Sequence, residues 1–117
     1  MVLNQLSPFV ANWRKMRLTD EDLRGLELAA MEDPEGWPVI PGTGGVRKMR
    51  FAPPSWATGK SGATRVIYAY FPAFARLYFV TIYGKGRKSD LSVDERKVIR
   101  ELVRRIDEAL KRGVSHA

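Results

Sequence analysis

Apolar residues recur at helical spacing near both ends of this chain and at strand spacing in its middle. Leu23, Leu26, Ala30 and Met31 form an apolar stripe of helical period, which predicts a helix opening at Thr19. Thr19 is placed to cap it, Asp22 stands at the third helical position, and acids fill the first turn. Leu18 and Leu23 have the spacing of a hydrophobic staple. Asp33–Pro34 ends the helix, because the residue before proline avoids the α region. Upstream, Val2–Leu6 reads as a short edge strand and Pro8–Met16 as one or two helical turns.

The segment 34–45, PEGWPVIPGTGG, is a loop rich in proline and glycine. Val46–Phe51 then alternates: Met49 and Phe51 share one face, Lys48 and Arg50 the other. A second loop spans Ala52–Ala63. Thr64–Phe71 and Arg76–Tyr83 are rich in Val, Ile, Tyr and Phe, and the short connection around Pro72 predicts an antiparallel hairpin. Gly84–Ser89 is a basic turn. Ser92-x-x-Glu95 is a capping box for a long helix with Val98, Ile99, Leu102, Val103, Ile106 and Leu110 as its buried stripe and Gly113 as its stop. The order β–α–α–β–β–β–α predicts one α+β domain over residues 1–117, with helices covering one face of a mostly antiparallel sheet. No repeat, low-complexity tract or linker interrupts it.

Charge changes the picture more than composition does. From Gly36 to Ser89 there is no Asp or Glu, and that segment carries a formal +9. All 13 acids lie outside it, and the two ends together carry −2. A sheet whose polar face and loops hold only cations is suited to a polyanion, nucleic acid first. A single Lys or Arg reads as an ordinary solvated cation; the whole set does not, because ordinary surfaces mix both signs. No apolar run reaches the roughly 18 residues that span a membrane. The first 13 residues lack signal-peptide character. Absence of cysteine excludes disulfides and thiolate zinc sites and fits a cytoplasmic protein.

Several chemistries are removed by what the centre lacks. Paired-carboxylate catalysis and magnesium binding both need acids. The one histidine, His116, lies next to the last residue, which disfavours a serine–histidine triad or a histidine-ligated metal. GTGG at 42–45 leads into a strand and lacks the Gly-Lys-Ser/Thr ending of a phosphate loop. Gly59-Lys60-Ser61 resembles that ending, but the upstream glycine is missing. No metal or cofactor is expected.

Lys, Arg and Tyr remain, and they suffice for one reaction. The 2′-hydroxyl of RNA can attack its own 3′-phosphate, leaving a cyclic phosphate and a 5′-hydroxyl, with no metal. Arginines stabilise charge on the phosphate oxygens in bidentate geometry. A lysine crowded by cations can act as acid or base. Lys48 and Arg50 share a strand face, Arg65 begins the next strand, and Tyr83 with Lys85 ends the last. Tyr68, Tyr70, Phe71, Tyr78 and Phe79 read as core or sheet surface; Trp37 reads as packing on the sheet. Trp56, in the loop with Lys60, is the stacking candidate.

From Thr19 to about Ile106 the chain resembles the RelE/ParE superfamily of bacterial toxins, in its HigB-like branch. The resemblance rests on LTDEDLRGLE at 18–27, VIPGTGGVRKMRF at 39–51, GKSGATRVIYAYF at 59–71 and FVTIYGKGRKSDLSVDE at 79–95. It implies a small toxin domain with a curved antiparallel sheet. It also implies metal-independent cleavage of messenger RNA in the ribosomal A site. The partners it implies are the ribosome, its messenger and a helix-turn-helix antitoxin, without a membrane. Lys48, Arg50, Arg65 and Lys85 become the catalytic candidates. Arg47, Trp56, Lys60, Tyr83, Arg87 and Lys88 become the substrate contacts. Some members carry a C-terminal tyrosine or histidine near the scissile phosphate, for which this chain offers only Tyr83 as a substitute. The ParE branch poisons DNA gyrase without ribonuclease activity, so a non-enzymatic toxin or a basic RNA-binding module is the alternative.

Overall fold

The chain runs β1 (Val2–Gln5), α1 (Ser7–Lys15), α2 (Asp20–Glu32), β2 (Arg47–Phe51), β3 (Thr64–Phe71), β4 (Arg76–Gly84) and α3 (Val93–His116), the order its periodicities predict. Short 3₁₀ turns occupy Pro54–Trp56 and Pro72–Phe74. The computed structural model describes residues 1–56, 63–84, 86 and 90–116. The four strands form one sheet in the order β1-β4-β3-β2. β2, β3 and β4 pair antiparallel, and β1 is an edge strand parallel to the first half of β4.

Helices cover both faces of this sheet, not the one face expected. The cause lies in β3, where Val66, Ile67, Tyr68 and Ala69 are all buried. A strand with consecutive apolar residues has no polar side to turn to water. On one face Phe9 and Trp13 of α1 and Leu26 and Ala30 of α2 pack on Met49, Val66, Tyr68, Leu77, Phe79 and Ile82. On the other, Ile99 and Val103 of α3 pack on Ile40, Val46, Ile67, Ala69 and Val80. The predicted stripes are trimmed accordingly. Met31 is exposed at the end of α2, and Val98 is 68% exposed on the outer side of α3.

α3 runs past Gly113 to His116. Gly113 takes no left-handed turn, and a helical glycine costs only about 1 kcal/mol relative to alanine. Exposed pairs at one-turn spacing support this half of the helix, among them Arg104 with Glu101 and Glu108, and Lys111 with Asp107.

The loop before β2 is tied down by side chains. Arg47 donates from Nη1 to the carbonyls of Glu35 (2.9 Å) and Trp37 (2.6 Å), and the Tyr68 hydroxyl donates to Pro34 O (2.7 Å). Buried Thr43 donates to Ile40 O and accepts from Val46 N–H. In GTGG, Gly42, Gly44 and Gly45 have φ of 79°, 78° and 107°, a left-handed path that only glycine takes cheaply. A side chain at Gly44 would start 3.7 Å from Arg100 and Val103, so this turn seats α3.

The start of α2 is a two-layer cap. Thr19 Oγ1 accepts from Asp22 N–H and Asp22 Oδ2 accepts from Thr19 N–H. Fully buried Asp22 also accepts from Ser55 N–H (2.9 Å) and Ser55 Oγ (2.6 Å), binding α2 to the turn that carries Trp56. Burial alone would raise this carboxyl, but the Ser55 and Thr19 donors outweigh it and hold it below its ordinary range. Its stabilisation is therefore present above the unfolded value near pH 4 and is lost as pH falls through the lower folded value. Asp22→Asn should destabilise by about 1–3 kcal/mol at pH 7, since an amide nitrogen would face these donors. Urea unfolding at pH 7 and pH 3 checks this: the gap between wild type and variant should narrow in acid.

Candidate functional site

One pair beyond Ile67 on its face of β3, the α3 side of the sheet opens, and three residues line up across three strands. Arg50 of β2 stands directly opposite Arg65 of β3, and Arg65 directly opposite Tyr83 of β4. Lys48 lies two residues along β2 on the same face. Arg50 is exposed and Arg65 half-buried, and among the described residues neither has an ion-pair partner. Arg65 makes one long hydrogen bond, Nη1 to Ala63 O at 3.3 Å. Lys48, Arg50 and Arg65 share an open cleft of about 430 Å³ with Trp37 and Pro38.

A β-bulge puts Tyr83 in that row. From the hairpin, pairing runs regularly from Phe71↔Arg76 to Tyr68↔Phe79, then shifts so that Ile67 faces Thr81 and Val80 is the extra residue. Without the shift Ile82 would stand opposite Arg65. With it, Ile82 enters the first core and Tyr83 turns to the cation face. Bulges re-aim side chains in this way beside functional sites.

Placing two arginines directly opposite one another destabilises a sheet. No carboxylate among the described residues pairs with either one. Asp90 approaches the set, 4.0 Å from Lys48 Nζ and 3.2 Å from Arg96 Nη2. Asp90 stands one position beyond the acid-free segment, and folding returns it to the cations, so the centre is less purely positive in space than in sequence. Burial raises the Tyr83 phenol above its ordinary range; Asp90 adds to the shift, Arg65 opposes it and Glu95 adds again. At neutral pH Tyr83 is therefore a neutral phenol, able to donate a hydrogen bond or a proton.

Arg47 does not join the set. It points to the opposite face from Lys48 and Arg50, and its Nη1 is taken by the carbonyls of Glu35 and Trp37. That makes it a clamp for the loop, on the other face of β2 from the cation row. Trp56 is half-buried at the end of its 3₁₀ turn and belongs to neither core, whereas Trp37 packs on the first core. Lys60, Lys85, Arg87 and Lys88 lie outside the described residues. Among those described, no group of three His, Asp or Glu is arranged to hold a metal ion, and no helix is long and apolar enough to cross a membrane. No known family model matches the sequence.

Proposed function

We propose that this protein is a toxin of the RelE/ParE kind that cleaves messenger RNA in the ribosomal decoding site without a metal. The observation that supports it is the Arg50–Arg65–Tyr83 row with Lys48 beside it. The two opposed guanidiniums cost stability unless a dianionic or polyanionic group bridges them, and a phosphodiester in its pentacovalent transition state is such a group. The 2′-oxygen bonds to phosphorus as the bond from phosphorus to the 5′-oxygen breaks. One proton leaves the 2′-hydroxyl and one reaches the 5′-oxygen. Arg50 and Arg65 take the developing charge on the non-bridging oxygens. Tyr83 is 8% exposed with its hydroxyl buried, so it backs Arg65 and does not itself meet the leaving oxygen. Lys48 and Asp90 are the adjacent groups able to take the one proton and supply the other.

Ribosome dependence fits the site's openness. A shallow cation row gives charge stabilisation but little to hold the 2′-oxygen in line with the leaving group, and positioning is worth many orders of magnitude in rate. On this reading, expression without a neutralising partner arrests growth and leaves transcript ends inside translated codons. Continued protein synthesis over intact transcripts would sink the reading.

A second reading draws on the same row. Arginine does not exchange protons at any ordinary pH, so Arg50 and Arg65 alone make a binding device for RNA or, as in ParE-type toxins, for a protein target. Substitution separates the two. If Arg65→Ala and Lys48→Ala lower toxicity only in proportion to affinity for the target, the protein is a binder. If cleavage stops while ribosome binding persists, it is a nuclease.

A further inference from the structure

A groove opens where β4 ends, between the last turn of α1 and the Pro54–Trp56 turn. It measures about 410 Å³ and is lined by Asn12, Lys15, Met16, Trp56, Ile82, Tyr83 and Gly84. Three features set it apart from an incidental crevice. Its walls are an indole, a thioether and an aliphatic side chain, the surfaces on which a flat aromatic ring stacks. Its rim carries Lys15, in the last turn of α1, and Asn12, whose Nδ2 is fixed by donation to Thr81 Oγ1 (3.0 Å), so its carbonyl oxygen is held in one orientation. Tyr83, one of its lining residues, is the cross-strand neighbour of Arg65. The groove lies on the α1 face of the sheet and the cation row on its α3 face, and Tyr83 near the end of β4 borders both.

Trp56 is the informative residue. It is half-buried and, among the described residues, packs into neither hydrophobic core. Its turn is nevertheless fixed, through Trp56 N–H to Pro53 O (2.9 Å) and through the two bonds from Ser55 to Asp22. An aromatic plane on a fixed turn, facing a groove with a cation at its rim, is a stacking platform for single-stranded nucleic acid.

We propose that this groove holds one nucleobase of an RNA strand that crosses Arg50 and Arg65 and passes round the end of β4 to the α1 face, with the ring stacked on Trp56 and its polar edge facing Asn12 and Lys15. This rests on the nuclease reading above and extends it. The cation row recognises the backbone, and the groove adds a base-dependent contact that the row cannot supply.

The test uses a non-cleavable 2′-O-methyl RNA of about six nucleotides and the same backbone made abasic, titrated calorimetrically at low salt. Wild type should bind the base-bearing strand more tightly than the abasic one. Trp56→Ala should weaken the base-bearing strand by about five- to 150-fold and leave the abasic strand unchanged. Trp56→Phe should restore most of the loss, and Trp56→Leu, which keeps apolar bulk without a π-face, should not. Trp56→Leu also carries the test if Trp56→Ala fails to fold. Arg65→Ala should weaken both strands alike. Equal binding of the two strands by wild type would overturn the base groove while leaving the cation row standing. So would a Trp56→Ala loss of equal size for both strands. If neither strand bound wild type, the phosphate row and the groove would fall together.

Discussion

Arg65→Ala is expected to slow cleavage of ribosome-bound messenger by about 100- to 1,000-fold, the usual cost of removing a donor that acts mainly in the transition state. The folded state should be as stable as wild type or slightly more stable. Both parts follow from one geometric fact. Arg65 sits between Arg50 and Tyr83 in a cross-strand row, and like charges directly opposite repel. Removing Arg65 relieves that repulsion and gives up only a 3.3 Å hydrogen bond to Ala63 O. A variant that folds better and works worse is the signature of a residue kept for activity. Arg65→Lys keeps the charge but loses the planar two-donor fork, so it should remain substantially impaired. Single-turnover cleavage at saturating protein, with thermal unfolding in parallel, measures both. A well-folded Arg65→Ala protein cutting within about threefold of wild type would remove Arg65 from the active site and weaken the cation-row assignment with it.

Local signals carried much of this fold. Thr19 and Asp22 form the predicted reciprocal cap, because its donors and acceptors lie within three residues of one another. The Ser92–Glu95 box closes for the same reason. Alternation along β2 puts Lys48 and Arg50 on one face without any tertiary contact. What escaped was set by longer range. The extra residue at Val80 that brings Tyr83 opposite Arg65 has no composition signal, since Val80 looks like any other strand residue. Asp90 approaches Lys48 only because α3 folds back over the sheet, and sign counts along a chain do not register that return. Arg47 counted as one more cation until the carbonyls of Glu35 and Trp37 claimed it. The two-sided core was, by contrast, written plainly into β3. Four consecutive apolar residues from Val66 to Ala69 break the period-two pattern of a half-solvated strand and require cover on both faces.

Phe9→Ala tests that architecture, with an expected loss of about 3–5 kcal/mol. Phe9 is fully buried and stacks on Phe79 of β4 at 5.1 Å and on Trp13, one helical turn further on, at 5.4 Å. Truncation removes the ring that joins α1 to the sheet and leaves a cavity that two rigid aromatics cannot close. Since small domains unfold for about 5–15 kcal/mol, such a loss is a large fraction of the total. The control is Val98→Ser on the exposed side of α3, which should stay within about 0.5 kcal/mol of wild type despite its place in the helix's apolar stripe. Urea unfolding of both variants reads the contrast, and a Phe9→Ala loss below about 1 kcal/mol would mean that α1 is not anchored as described. The anchoring also bears on recognition. Asn12, Lys15 and Met16 reach the base groove only through the seating of α1, whereas Arg50 and Arg65 are held by the ladder between β2 and β3. A loosened α1 should therefore erase the preference for base-bearing over abasic RNA at temperatures where phosphate binding survives.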